Sequence, residues 1–148
     1  MNEQNKFMVI HGPNLNMLGT REPGVYGTAT LEEINQMLNL HAVELGVQLE
    51  TFQSNHEGAI VDKIQEAVGM CSGLIINPAA YTHTSVAIKD ALLLLDCPII
   101  EVHISNVYKR ESFRHVSMIS DVVTGKIVGL GFHGYELALD ALAKMVYG

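Results

Sequence analysis

Cysteine is scarce and long apolar runs are absent in this sequence of 148 residues, and each of these two features excludes a class of protein. The two cysteines, Cys71 and Cys97, lack a CxxC spacing and lie beside apolar runs, so we expect buried, reduced thiols rather than a disulfide framework. A cytoplasmic location is the default expectation for such a chain. The longest aliphatic run, residues 91–95, is far too short to span a bilayer, which predicts no membrane partner.

Positive charge is scarce as well, because 16 acidic residues stand against 9 basic ones and give a net charge of -7. An acidic chain without a basic stripe is a poor nucleic-acid binder. An anionic small molecule can still bind if the three arginines, Arg21, Arg110 and Arg114, converge near predicted strand ends. Charged residues make up only 17% of the chain, against roughly a quarter in typical domains, so we expect other subunits to cover part of the surface.

Short apolar runs alternate along the chain with longer segments of helical spacing. The apolar runs predict strands over residues 7–10, 74–76, 98–103 and 126–130, and an alternating pattern predicts a further strand over residues 47–53. The helical spacing predicts helices from Thr30 to Gly46 and over residues 60–68, 85–95 and 135–146, the first with a capping box between Thr30 and Glu33. This alternation predicts an α/β protein with a flavodoxin-like, doubly wound, five-stranded parallel sheet, and the length fits a single domain over residues 1–148.

Polar side chains follow the predicted strands one, three and four. They are His11, Asn14 and Asn16 after strand one, Asn77, Tyr81 and His83 after strand three, and Glu101, His103, Ser105 and Asn106 at the end of strand four. The carboxyl ends of parallel strands share one edge of the sheet, where ligands bind in such folds. The sequence therefore predicts a site at this edge that can hydrogen-bond a polyol or a hydroxy acid.

The segment over residues 11–29 has no periodic pattern and contains four glycines and two prolines. An irregular segment of this length is uncommon in a compact domain and is often a lid over a site. We therefore expect Arg21 and Tyr26, which lie on this segment, to close over a bound ligand.

Several other functions compete with a small-molecule enzyme. A metal site could be built from His83, Glu101 and His103, but the HExxH pattern is absent and no further ligand has suitable spacing, so no metal is expected. The glycines of the segment over residues 11–29 form neither GxGxxG nor a phosphate-binding loop, so a phosphate cradle there is disfavoured. A non-catalytic flavodoxin-like module that binds a polyol acid stays open, since it would have the same pocket.

Taken together, the motifs resemble those of the type II 3-dehydroquinate dehydratases. The matching stretches are HGPNLNMLG (residues 11–19), REPGVYG (21–27), FQSNHEG (52–58), INPAAYTHTS (76–85), IEVHISNV (100–107) and GKIVGLG (125–131). They occur in order over most of the chain. The resemblance implies a lyase, without a metal or other cofactor, that removes water from 3-dehydroquinate to give 3-dehydroshikimate in aromatic biosynthesis or in quinate breakdown.

Within that reaction we assign Tyr26 as the base that removes a proton alpha to the ketone and His103 as the acid that protonates the departing hydroxyl. A free phenol has a pKa of about 10, and a nearby cation lowers such a pKa by roughly 1 to 3 units. Arg21, five residues earlier, is the expected cation. Asn14 is expected to hold a water molecule or to donate to the enolate, and Glu101 to orient His103.

The resemblance also implies the residues that bind substrate, which are Asn77, His83, Asp90, Ile104, Ser105 and Arg114. It implies that Asp90 reaches into a neighbouring subunit's site, within a dodecamer built from trimers. The other known dehydroquinate chemistry uses a lysine imine. Most lysines are expected on strand starts or helix faces, with Lys109 nearest the cleft, so a nucleophilic lysine is not evident.

Overall fold

The computed structural model describes residues 6–20, 24 and 27–148, and its centre is a five-stranded sheet. The strands are β1 (Lys6–His11), β2 (Gln48–Gln53), β3 (Gly73–Asn77), β4 (Ile99–His103) and β5 (Gly125–Val128). All neighbours pair in parallel, in the order β2-β1-β3-β4-β5. This order is the flavodoxin-like one, and it confirms the predicted fold class.

Helices cover both faces of the sheet. They are α1 (Leu31–Leu45), α2 (Glu57–Ala67), α3 (Val86–Leu92) and α4 (His133–Tyr147). Side chains of β1 alternate between two apolar clusters: Phe7 and Val9 pack with α1 and α4, whereas Met8 and Ile10 pack with α2 and α3. The sheet is therefore doubly wound, as predicted. No helix in the described part of the chain is long and apolar enough to cross a membrane.

Local sequence signals set several element ends as predicted. The Thr30 side chain accepts from the Glu33 N–H, while the Glu33 carboxylate accepts from the Thr30 N–H, which completes the capping box of α1. Gly46 ends this helix with a positive φ of 73°, a conformation that costs glycine little. Ser85 lies outside α3, where its hydroxyl accepts from the Ile88 N–H as an N-cap.

Other expectations are corrected by the packing. The helix predicted to reach residue 95 ends at Leu92, and the fifth strand ends at Val128 because Gly129 turns the chain with a φ of 86°. β2, predicted from an alternating pattern, is an edge strand whose side chains are partly buried or exposed. Cys71 and Cys97 are free but only half-buried.

Gly12 marks the point where the chain leaves β1 and crosses the end of β3. A Cβ atom there would lie 2.3 Å from the Pro78 carbonyl oxygen. The Gly12 N–H also donates to the Asn77 carbonyl at 2.8 Å. Only glycine fits this approach of two backbones, which brings the segment after β1 against the segment after β3.

We expect Gly12→Ala to lower the free energy of unfolding by about 2 kcal/mol or more, because the added methyl forces the two segments apart. Urea denaturation measures the change. Gly58→Ala is the matched control, since nothing lies within 4 Å of a Cβ at this position in the first turn of α2. The control should stay within about 1 kcal/mol of the unaltered protein. Equal stabilities of the two variants would contradict the steric argument.

Candidate functional site

A cavity opens at the carboxyl edge of the sheet, where the strand order reverses between β1 and β3. Segments that follow β1, β3 and β4 form its walls. The lining residues are Pro13, Asn14, Leu15, Met17, Leu18, Asn77, Ala79, Ala80, His83, His103, Ile104, Ser105, Val107, Arg110 and Arg114. The cavity therefore lies where the sequence placed the site.

Most of the predicted site residues meet in this cavity. Those that line it are Asn14, Asn77, His83, His103, Ile104, Ser105 and Arg114. Glu101 is fully buried beneath it, in contact with His103. Asp90 is exposed on α3 and does not line the cavity of its own chain. Arg21 and Tyr26 lie outside the described residues.

The charge of the cavity is opposite to that of the whole chain. Its described lining includes Arg110 and Arg114 and contains no aspartate or glutamate, although the chain carries a net charge of -7. Arg114 donates to the Glu111 carboxylate at 2.9 Å, and Arg110 donates to the Ser105 hydroxyl at 3.3 Å. Two guanidinium groups in one cavity fit an anionic ligand. Sequence reasoning counted Arg110 among the arginines but gave it no role.

Glu101 and His103 form a buried pair under the cavity. They are two residues apart on β4, so their side chains project from the same face of the sheet. The Nε2 atom of His103 lies 2.6 Å from Glu101 Oε2. Because Nε2 bonds the carboxylate, Nδ1 is the ring nitrogen left to exchange a proton with a ligand.

Glu101 remains ionised although it is fully buried. Burial alone would raise the pKa of this carboxyl group, but the hydrogen bond and charge of His103, the Ser120 hydrogen bond and the Lys126 charge together hold the pKa below its usual value. Ser117 donates to Oε2 at 2.9 Å and Ser120 to Oε1 at 2.8 Å. A carboxylate held by this many donors has a fixed position, so it can orient the His103 ring.

His83 has a defined tautomer. Its Nδ1 lies 2.8 Å from the Val116 carbonyl oxygen, which can only accept, so Nδ1 carries the proton. Burial, together with the nearby His103, Arg114 and Lys126, lowers the pKa of His83. Its Nε2 is therefore an acceptor that suits a ligand hydroxyl.

The segment after β1 is held by polar groups that follow β2. Asn14 has a left-handed backbone with a φ of 69°, and its N–H donates to Asn55 Oδ1 at 2.9 Å. Gln53 donates to the Gly12 carbonyl at 3.1 Å and to Asn55 Oδ1 at 3.2 Å. Tyr81 donates to the Asn55 carbonyl at 2.8 Å. These contacts give a structural role to the FQSNHEG stretch, which was noted in the sequence without one.

Sequence reasoning did not predict the contacts of a second set of buried polar side chains. His11 contacts the Tyr135 hydroxyl through Nδ1 at 3.1 Å and Asn35 Oδ1 through Nε2 at 2.9 Å. The same hydroxyl accepts from Asn77 Nδ2 at 3.0 Å. Tyr135 was assigned only to the apolar stripe of the last helix. A histidine directly after an apolar strand was the available signal, and the pattern did not indicate its partners.

The described part of the chain lacks the arrangement of side chains that a metal site or a lysine imine at the cavity would need. No group of three His, Cys, Asp or Glu residues is arranged to hold a metal ion. No lysine lines the cavity. Lys6 and Lys63 both pair with Glu50, whose hydrogen bond raises the pKa of each ammonium group, the opposite of what an imine-forming lysine needs.

The fold and the cavity define an α/β protein of the flavodoxin-like class with a cavity, lined by two arginines, beyond its strand ends. The dehydroquinase class II family model matches residues 5–143, and the chain belongs to that family. The 3-dehydroquinate dehydratase of Acaryochloris marina is 58% identical over 135 residues, which are 91% of this chain and 91% of the relative.

Two further comparisons agree with the family. The catabolic 3-dehydroquinase of Aspergillus oryzae is 57% identical over 136 residues, covering 92% of this chain and 89% of the relative. The crystal structure of the type II dehydroquinase from Butyrivibrio crossotus has a TM-score of 0.93 at 50% identity, covering 95% of this chain and 99% of that one. The resemblance seen in the sequence motifs is thereby confirmed.

We expect stability to fall in mild acid because His11 is buried in its neutral form. Burial lowers the pKa of His11 to about 4, against the opposing effect of the Asn35 hydrogen bond. The unfolded chain therefore binds the extra proton first, and stability is lost as the pH falls below about 6.5. Between about pH 6.5 and pH 5 the His11 contribution is roughly 1.5 kcal/mol.

Urea denaturation of the unaltered protein and of His11→Asn at both pH values isolates this contribution. The other titrating groups are common to both proteins, so they cancel in the difference. An equal loss of stability in both would show that His11 binds its proton equally well in the folded state.

Proposed function

We propose that this chain is a hydro-lyase that removes water from 3-dehydroquinate to give 3-dehydroshikimate through an enolate intermediate. The observation that carries the proposal is the buried Glu101–His103 pair beneath a cavity lined by two arginines, in a chain of the dehydroquinase class II family. The substrate is a carboxylate with hydroxyl groups and a ketone. It needs cations, donors and acceptors in one place, together with an acid for the departing hydroxyl.

Proton removal alpha to the ketone is assigned to Tyr26, with Arg21 as the cation that favours the phenolate. At pH 7 an unperturbed phenol is ionised in only about one molecule in a thousand, since its pKa is about 10. A cation within a few ångströms that lowers the pKa by roughly 2 units raises this fraction to about a tenth. The same guanidinium favours the negative charge that develops in the transition state.

Departure of the hydroxyl is assigned to His103 as general acid. The ionised Glu101 stabilises the imidazolium that delivers the proton, and it orients the ring through the 2.6 Å bond to Nε2. Asn14, held in place by its N–H bond to Asn55, holds a water molecule or donates to the enolate oxygen. Acid and base then come from separate segments of the chain, since Tyr26 belongs to the segment after β1 and His103 to the end of β4.

Substrate binding is assigned by the hydrogen-bonding character of each group. Arg114, Ser105, Ile104 and Asn77 bind the carboxylate and ring oxygens, and the neutral His83 accepts from a hydroxyl through Nε2. Arg110 adds a second positive charge to the same cavity. Two arginine side chains in one cavity attract an anion despite the net negative charge of the chain.

The relatives include both a 3-dehydroquinate dehydratase and a catabolic 3-dehydroquinase at nearly equal identity, so they share the reaction rather than the pathway. We place this chain in the shikimate pathway, with quinate breakdown as the alternative. The proposed compartment is the cytoplasm, which suits two free cysteines.

The proposed assembly is a dodecamer built from trimers, in which Asp90 completes the site of a neighbouring subunit. Asp90 is exposed on α3 and lies outside its own cavity, as a residue that serves a neighbour must. Val86, Leu93 and Leu94 around it are each more than half exposed. Apolar side chains of this exposure, in a chain with few charges, suit a buried interface.

We expect the purified protein to convert 3-dehydroquinate to a conjugated enone, which an absorbance assay follows directly. Turnover should survive exhaustive chelation and treatment with borohydride, because no metal or imine takes part. Tyr26→Phe should abolish turnover and leave the fold intact. Tyr147→Phe is the matched control, since Tyr147 lies on the last helix against Phe7 at the opposite end of the sheet.

The outcomes separate the rivals. Tight binding without enone formation would identify a binding module instead of an enzyme. Loss of activity on chelation would indicate a metal site, and borohydride trapping would indicate a lysine imine. Full activity of Tyr26→Phe would reject the assigned base.

We expect a mixture of Asp90→Ala and Tyr26→Phe subunits to recover activity that neither variant has alone. If Asp90 serves a neighbour, some mixed sites combine an intact Tyr26 with an intact Asp90. Random association of equal amounts gives roughly a quarter of the unaltered activity. Native mass spectrometry checks that mixed oligomers form. Mixed oligomers without recovered activity would place Asp90 outside the neighbouring site.

A further inference from the structure

A chain of hydrogen bonds runs from the cavity into the core, and one backbone group sets its direction. The Ala79 N–H, which can only donate, reaches Asn77 Oδ1 at 3.1 Å. The Asn77 nitrogen Nδ2 therefore faces the Tyr135 hydroxyl, 3.0 Å away. An amide nitrogen also can only donate, so the hydroxyl oxygen accepts this bond and directs its own hydrogen elsewhere.

The hydroxyl hydrogen of Tyr135 goes to the Nδ1 atom of His11, which lies 3.1 Å away. A nitrogen that accepts carries no proton, so His11 is neutral and protonated at Nε2. Nε2 then donates to Asn35 Oδ1 at 2.9 Å. Both His11 and Tyr135 are fully buried, which favours the neutral imidazole that this direction requires.

We propose that Asn35, His11 and Tyr135 are positioning residues that hold the Asn77 amide with its nitrogen, not its oxygen, available to the ligand. Nδ2 carries two hydrogens, and Tyr135 takes one of them. Asn77 is almost fully buried but lines the cavity, so the second hydrogen is a donor for an acceptor atom of the ligand. The inference deepens the proposed function and rests on it, because there the ligand is an anion with acceptor oxygens.

Rotation of the Asn77 amide by a half-turn is blocked. It would bring Nδ2 against the Ala79 N–H, so that two buried donors would face each other. The hydrogen bonds thus preorganise the Asn77 amide as a donor before the ligand binds. A preorganised group lowers the entropic cost of binding. Its effect is expected on affinity rather than on the chemical step.

Tyr135→Phe removes the acceptor of Nδ2 and leaves the ring in place. We expect KM to rise by roughly 3- to 10-fold, the change that matches one lost hydrogen bond, with kcat within about twofold. In an Asn77→Ala background the same substitution should leave KM unchanged, because Tyr135 acts through Asn77. Ile64→Val is the control, since this fully buried residue packs on the opposite face of the sheet. An unchanged KM in Tyr135→Phe, or effects that add in full in the double variant, would overturn the proposal.

A second pair of variants tests the His11 end of the hydrogen-bond chain. His11→Asn keeps an oxygen that can accept from Tyr135, whereas His11→Leu keeps none. We expect His11→Leu to raise KM as Tyr135→Phe does, and His11→Asn to raise it less. Equal KM values for the two variants would contradict a role for this acceptor.

A measurement on the unaltered protein needs neither folded variants nor turnover. Nitrogen-15 NMR of the imidazole should report a protonated Nε2 and an unprotonated Nδ1 for His11 at neutral pH. A protonated Nδ1 would overturn the proposed direction of the hydrogen bonds. The unaltered protein could also show the expected His11 tautomer and form no enone. That result would reject the proposed function and leave the proposed direction of the hydrogen bonds intact.

Discussion

The site depends on the close approach of β1 and β3 at their carboxyl ends. His11 and Asn77 are paired in the sheet register, and immediately after them Gly12 donates to the Asn77 carbonyl and contacts Pro78. With no side chain at Gly12, the segment that carries Asn14 lies against the segment that carries His83. A larger residue would separate the two walls of the cavity, and the groups of the site would no longer converge.

The alternation of side chains along the strands then divides the polar groups between the two helical layers. His11 and Asn77 face α1 and α4, where Asn35 and Tyr135 satisfy them. Glu101 and His103 face the other layer, where Ser117 and Ser120 donate to the Glu101 carboxylate and this carboxylate binds His103. These four buried side chains therefore each have a hydrogen-bond partner, which is the condition for burying such groups without a large loss of stability.

The sequence predicted the order of elements well, because the signals are local. The capping box of Thr30 and Glu33 and the glycine at position 46 involve residues next to each other in the chain. The alternating pattern of β2 was visible in the sequence, but only the sheet order shows that β2 is an edge strand. The end of α3 was predicted at residue 95 because leucines continue beyond Leu92 in the sequence. The helix itself ends at Leu92.

The sequence by itself determined the fold class and seven of the residues that line the cavity, because strand ends converge by topology and the motifs mark them. Only the tertiary structure decided the partners: Tyr135 for Asn77, Ser117 and Ser120 for Glu101, and Asn55 for the backbone of Asn14. These contacts join residues far apart in the chain, so no local spacing encodes them. The direction of each hydrogen bond follows from donors and acceptors that meet only after folding.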